Sequence, residues 1–198
     1  MERPALPAKD ATTICAHLVG DRLEAAWVLT VRYGMRRSEV MGLRWSDIDL
    51  DAGLVHIVRG RLANGNVGTP KSDRSTRSLP ITPEFAAAVR RTRLIRRGEV
   101  LAAGRSWDEE AFIAVTADLR PVAPEWYSEE WLLVCDRAGV PRVTLHSARH
   151  GSVTRMRDAG VPLHLVAAFH GHREEVSAAV YTHVEGEVLR AAVEGRLG

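Results

Sequence analysis

The sequence predicts an α+β domain that is mainly α, with one small antiparallel sheet of three strands. Three observations lead there. Apolar residues recur at helical spacing through most of the 198 residues. The period shortens to two only between residues 54 and 81, around an Asn64-Gly65 turn signal. A 45% apolar fraction in a chain of this length suffices to bury a core, which sets disorder aside.

The elements follow in order. Residues 1–9 carry charge and two prolines and read as a linker or tether. Residues 10–18 make a short helix stopped by Gly20, with Asp21 available to cap the next one. Residues 21–33 place Leu23, Ala26, Trp27 and Val31 on one helical face, a core stripe that Gly34 ends. Ser38-Glu39 begins a short helix, with Arg36 just ahead of it. Residues 54–58 form a strand, 66–69 a short middle strand and 75–81 the third. Thr82 caps a helix from Pro83 to about residue 97, with proline in the first turn as expected. Residues 98–122 show the weakest pattern, with a short buried segment around 107–115. Residues 125–138 are helical, turning Trp131, Leu132 and Cys135 inward before Gly139. Helices over 145–160, 162–169, 174–181 and 184–197 complete the chain, with no internal repeat.

Composition narrows the function. No apolar run approaches the roughly twenty residues of a membrane span, and the first ten residues lack the apolar core of a signal peptide. Cys15 and Cys135 lie far apart in amphipathic stretches and read as buried free thiols of a reducing compartment. Net charge is only +2, yet positive charge gathers at Arg90, Arg91, Arg93, Arg96 and Arg97, and again at Lys71, Arg74 and Arg77. The first group reads as a solvated helix face. Local basic surface of this kind permits nucleic-acid binding without requiring it.

The chemistry concentrates between residues 145 and 181, where His146, Arg149, His150, His170, His172 and Tyr181 fall together. A core helix has no need of so many proton carriers and cations, whereas a phosphate-handling site does. Three features stand out: His146-x-x-Arg149, then Gly171-His172, then Tyr181 nine residues further on. In these the chain resembles the tyrosine recombinases, or phage-type integrases, over about residues 6–190. The likeness extends to Gly34-Met35-Arg36, Glu39 and Leu43-Arg44-Trp45-Ser46-Asp47, which is similar to the family's Gly-Leu-Arg-x-x-Glu and Leu-x-Trp-x-Asp segments. Arg36 takes the place of the first catalytic arginine there, with Arg37 and Arg44 competing for it. Lys71, in a Lys-Thr-x-x-Ser-x-Arg-like loop, matches the family's catalytic lysine, and the only other lysine is Lys9. That choice matters because lysine can give up its proton and arginine in practice cannot.

The resemblance implies the tyrosine recombinase catalytic-domain fold over residues 10–198. It also implies site-specific recombination of double-stranded DNA, with Arg36, Lys71, His146, Arg149, His172 and Tyr181 as the catalytic set. Two guanidiniums would each donate paired hydrogen bonds to one phosphodiester. Tyr181 would attack phosphorus; its phenol, with an ordinary pKa of ~10, needs cationic neighbours and an acceptor such as His146. His172 would donate to a phosphate oxygen and Lys71 would protonate the departing sugar oxygen. No metal or other cofactor is called for. The family's link is a 3′-phosphotyrosine, formed by homotetramers on DNA whose subunits are monomers when free. A cytoplasmic bacterial or phage protein acting at the nucleoid, and not at a membrane, is implied. Tyr33 and Tyr127 compete with Tyr181, but their surroundings suit packing. Glu39 is expected to be a buried partner that orients the site, and His150 and His164 to be structural.

The chain also departs from the family pattern. Ser147-Ala148 stands where Asp-Leu is usual, and His170 where leucine precedes Gly-His, which alters packing behind the site. The helical clamp domain that members carry ahead of the catalytic one has no counterpart in these residues. Two other readings stay open. His146-x3-His150 could join a metal site, although Ser147 sits where a His-Glu-x-x-His hydrolase needs its glutamate. Alternatively, the chain is a catalytically inactive DNA-binding or regulatory module that retains the recombinase fold.

Overall fold

A short helix buried on every side organises the domain. In the computed structural model, which describes residues 5–68 and 76–171, helix α2 (Glu24–Val31) has all eight of its residues buried. The sequence suggested a single core-facing stripe. The structure differs because α1 (Ala8–His17), α4 (Pro83–Ala102) and α6 (Leu145–Asp158) all pack around α2. Its two polar side chains are satisfied: Glu24 receives Arg91 and the Gly20 N–H, and Thr30 meets the Tyr127 hydroxyl at 2.8 Å. Asp21 does not cap α2, whose N-cap is Leu23 without a side-chain bond; its carboxylate instead closes the preceding turn by accepting the Leu23 N–H at 2.7 Å.

Ahead of α1, Leu6 is only 1% exposed, although it falls in the stretch read as a tether. Its N–H donates to the Ser147 carbonyl at 3.1 Å, which seats it against α6. Helix α3 (Arg37–Gly42) begins directly after Arg36, and one turn of 3₁₀ helix follows at Trp45–Asp47. Thr82 caps α4 by accepting the Phe85 N–H at 3.2 Å, and the helix continues to Ala102 rather than stopping near residue 97. Helix α5 (Pro124–Arg137) buries Tyr127, Trp131 and Cys135. The Tyr127 ring stacks on Trp27 with centroids 4.1 Å apart, and Trp131 donates to the Val143 carbonyl at 2.7 Å. Thr144 caps α6, and α7 (Leu163–His170) ends at Gly171 in the left-handed conformation. Cys15 and Cys135 are free and buried, and burial pushes the Cys15 thiol up to about 12.

The sheet has three antiparallel strands, but not the three expected. Its order is β1 (Ile48–Asp49), β2 (Leu54–Ile57), β5 (Arg77–Pro80). The expected middle strand, here β4 (Val67–Gly68), pairs instead with β3 (Gly60–Arg61) in a hairpin of its own. The physical reason is the apolar face. Ile48, Val55, Ile57 and Leu79 are buried, whereas Val67 and Gly68 are exposed and have nothing to add to that face. In this register Val55 opposes Leu79 and Ile57 opposes Arg77, so Arg77 shares the inward side with Leu79. Between α4 and α5 the chain makes only isolated bridges, Arg44 with Phe112 and Val115 with Pro121, and buries Ile113, Ala114 and Val115.

Of the α4 arginines, Arg90 and Arg97 are exposed, as expected of a solvated face, but the others are tied into ion pairs. Arg91 pairs with Glu24, Arg93 with Glu109, and Arg96, which is 3% exposed, with Glu99. Among the described residues no helix is long and apolar enough to cross a membrane.

The seat of Leu6 can be tested through Gly151 on α6. A Cβ at this glycine would overlap the Leu6 carbonyl oxygen. Helix propensity alone favours alanine by about 1 kcal/mol, and forced overlap costs about 1–3 kcal/mol. Gly151→Ala is therefore expected to lower the urea midpoint. A raised midpoint would show that Leu6 does not rest on this helix.

Candidate active site

The last carbonyls of a helix have no intrahelical donor and carry the negative end of its dipole. In α7 and its cap, three in succession are met by arginine. Arg77 Nε donates to the Phe169 oxygen at 2.8 Å, Arg149 Nη2 donates to the His170 oxygen, and Arg36 Nη2 donates to the Gly171 oxygen at 2.8 Å. Arg149 also donates to the Gly34 carbonyl at 2.7 Å. The three guanidiniums come from β5, from α6 and from the residue before α3, elements already fixed by the core.

Glu39 stands among them, 4% exposed. Its carboxylate accepts both terminal nitrogens of Arg77, each at 3.0 Å, and Arg36 Nη1 at 2.9 Å. It also accepts the Arg36 backbone N–H at 3.0 Å. Burial by itself would raise the Glu39 pKa, but the hydrogen bonds and charges of Arg77 and Arg36 outweigh it and hold the carboxyl at about 2. Arg149 is held well below the usual arginine value, at about 9, by burial first and then by the neighbouring charges of Arg36 and Arg77. Glu39 was expected as the buried partner of this site, and it is.

Arg36 and Arg149 therefore meet at one turn. The competing arginines are engaged elsewhere: Arg37 donates to the Pro124 carbonyl and the Ser128 hydroxyl, and Arg44 pairs with Glu110. His146 is exposed in the first turn of α6, three residues ahead of Arg149, with the His150 ring edge-on at 4.7 Å. It lines a cleft of about 330 Å³ with Arg37, Ser128, Leu132, Thr144 and Leu145. Lys71, His172 and Tyr181 lie outside the described residues.

The competing tyrosines are held in the core. The Tyr33 hydroxyl donates to the Pro80 carbonyl and accepts the Thr82 N–H, and burial pushes its phenol up to about 12. Tyr127 is fully buried, and burial pushes its phenol higher still. His170, which stands where the family has leucine, fills the space behind the site. Its ring is buried, with Nδ1 2.9 Å from the Val166 carbonyl and Nε2 3.1 Å from the Ser152 hydroxyl. A carbonyl can only accept, so Nδ1 carries a proton. That placement separates the role of His170 from those of the exposed His146 and His150. His164 is exposed as well. Among the described residues, no three His, Cys, Asp or Glu side chains are grouped to hold a metal ion.

Arg77 is the site residue that sequence reasoning passed over, counting it only as part of a basic cluster. Two signals could have found it: the period-two alternation that turns it inward with Leu79, and its place at the arginine of the Lys-Thr-x-x-Ser-x-Arg-like loop.

Comparison with known proteins identifies the family and the fold. The profile of the phage integrase family matches residues 6–187. A relative described as tyrosine recombinase XerC-like, from Caldanaerobacter subterraneus subsp. tengcongensis, is 30% identical over 193 residues, covering 89% of this chain and 49% of its own. The chain thus spans about half the length of that relative. Among solved structures, the Tn1549 transposon integrase in complex with transposon right end DNA matches with a TM-score of 0.71 at 21% identity, over 95% of this chain and 64% of that one. A lambda integrase tetramer bound to a Holliday junction matches with a TM-score of 0.57 at 18% identity, over 91% and 48%.

The depressed Glu39 pKa has a stability consequence with a definite sign. A folded value of about 2 against an ordinary 4.5 stabilises the fold above about pH 4.5, and the contribution is lost as pH falls toward 2. At neutral pH the shift corresponds to about 3 kcal/mol. The gap in unfolding free energy between wild type and Glu39→Gln, measured by urea titration, is expected to be constant near neutrality and to shrink below about pH 4.5. A gap independent of pH would mean that Glu39 is not held ionised.

Proposed function

The chain belongs to the phage integrase family, and on that premise we propose that it cuts and rejoins double-stranded DNA as a site-specific tyrosine recombinase. One observation carries the reading. Arg36 and Arg149 converge on one turn beside Arg77, and among the described residues Glu39 is the one carboxylate between the three guanidiniums. Among those residues the balance is positive, and the Arg36 side chain is 40% exposed, so an anion can reach it. A phosphodiester suits this arrangement, because paired guanidinium N–H groups match its non-bridging oxygens.

In the proposed step, the Tyr181 oxygen attacks phosphorus and the bond from phosphorus to the 5′ oxygen breaks. The phenolic proton passes to His146. Lys71 supplies a proton to the departing 5′ oxygen, while His172 and the two arginines hold the phosphate oxygens. The product is a 3′-phosphotyrosine with a free 5′ hydroxyl, and attack by another 5′ hydroxyl reverses the step without an external energy source. The guanidiniums act where negative charge grows as phosphorus becomes five-coordinate, a stabilisation worth about 3–4 kcal/mol per donor in other enzymes. Two facts favour Tyr181 as nucleophile. It is one of three tyrosines, and the hydroxyls of Tyr33 and Tyr127 are committed to core hydrogen bonds.

Residues 10–198, with Leu6 packed against them, form the catalytic domain in this proposal. The partner is double-stranded DNA. The assembly on it is a homotetramer, in analogy with the lambda integrase tetramer on a Holliday junction, and the free chain is a monomer. The site of action is the nucleoid of a bacterial cell.

The test is covalent trapping on a pool of nicked duplexes with randomised sequence. Wild type is expected to form a protein–DNA adduct that Tyr181→Phe does not. Arg36→Ala is expected to lower the adduct yield by about 100-fold or more with an unchanged circular dichroism spectrum. An adduct with Tyr181→Phe would move the nucleophile to another residue. DNA retention without any adduct would favour a module that binds and does not cut.

A further inference from the structure

The proposed reaction makes no use of Arg77, yet Arg77 is the group that ties the site together. The geometry points to Arg77 as a positioning residue, which locks the Glu39 carboxylate to the carboxy-terminal end of α7 and through Glu39 aims Arg36 at the scissile phosphate. The inference rests on the strand-cleavage reading above.

Glu39 Oε1 accepts from Arg36 and Arg77, while Oε2 accepts the Arg36 backbone N–H and the second Arg77 nitrogen. Arg77 is therefore a two-pronged clamp, a planar geometry that lysine cannot reproduce. The Arg36 side chain, being far more exposed, is steered by Glu39 and by the Gly171 carbonyl. Since Arg77 Nε also holds the Phe169 carbonyl, neither Glu39 nor the end of α7 can shift without the other. Arg77 is itself anchored, 9% exposed in its side chain and paired with Ile57 across the sheet.

The charged groups around Glu39 among the described residues are Arg36 from the turn before α3, Arg77 from β5 and Arg149 from α6. His170, at the end of α7, gives its carbonyl to Arg149 and turns its ring to Val166 and Ser152. With Arg77 removed, the burial of Glu39 is opposed chiefly by Arg36, so its proton affinity rises.

Arg77→Gln and Arg77→Lys, made in the full chain, supply two readouts. The first is the Glu39 side-chain carboxyl carbon followed by NMR, assigned by its absence in Glu39→Gln. Wild type is expected to show no titration from neutrality down to about pH 4, and Arg77→Gln a midpoint moved up into that range. The second is the rate of adduct formation on the nicked duplexes. Arg77→Gln is expected to slow it at least about tenfold, with DNA retention by mobility shift nearly unchanged, and to add an acid limb to the pH–rate profile. Placing Glu39→Gln beneath it should remove that limb. A Glu39 titration unmoved by Arg77→Gln, or an adduct rate that ignores it, overturns the positioning role. No adduct from wild type, with the carboxyl titration moving as expected, would instead strike the strand-cleavage reading alone. If Arg77→Gln does not fold, Arg77→Lys decides: a full wild-type rate would show that charge without the clamp suffices and would overturn the inference.

Discussion

One carboxylate placed among three guanidiniums is the constraint on which the site depends. Glu39 neutralises about one positive charge, and the negative ends of the α7 carbonyls compensate part of the rest. Among the described residues, what remains is a positive balance held in place by packing. Arg149 registers it directly, with a pKa depressed by burial and by its two like-charged neighbours. A phosphodiester, the substrate proposed above, would relieve that repulsion and would meet a site already arranged for it. This is preorganisation in the electrostatic sense: the arginines are oriented before the substrate is present.

Elsewhere the same residue type does different work. Arg22 with Glu99, Arg32 with Glu84 and Arg91 with Glu24 join separate segments of the chain through carboxylates. Two arginines of α6 are different. Arg149 and Arg155 donate to backbone carbonyls, and among the described residues neither is in an ion pair. Burial depresses both. Arg155 fastens the Leu6 and Val31 carbonyls within the core, whereas Arg149 opens onto the site with Arg36. Burial and a like-charged neighbour act on both, Arg32 on Arg155 and Arg36 with Arg77 on Arg149, so a depressed pKa alone does not tell the two apart.

Much of this was legible in the sequence where local chemistry decides the outcome. Thr82 and Thr144 cap the helices they precede, Gly139 and Gly171 follow helix ends, and Arg36 stands immediately before α3 because the Ser38-Glu39 start could be recognised. The misreadings occurred where tertiary contact decides. Helix α2 read as one-faced because the stripe of Leu23, Ala26, Trp27 and Val31 set the period, yet Ala25, Val28 and Leu29 on its other sides are buried as well, against neighbours that the local sequence does not show. The sheet lost its expected middle strand because two-residue strands such as Ile48–Asp49 are too short to show a period. Arg77 shares its face with Leu79 by strand alternation, which the sequence carries, but its partners Glu39 and the Phe169 carbonyl lie 38 and 92 residues away, which local sequence does not reveal.

Leu6 gives the fold a mechanical property. Its N–H is bound to the Ser147 carbonyl and its own carbonyl to Arg155, so two backbone groups of one residue grip the helix that carries His146 and Arg149. Moving Leu6 away from α6 would therefore break both hydrogen bonds at once, which makes this residue the staple of the helix that carries His146 and Arg149.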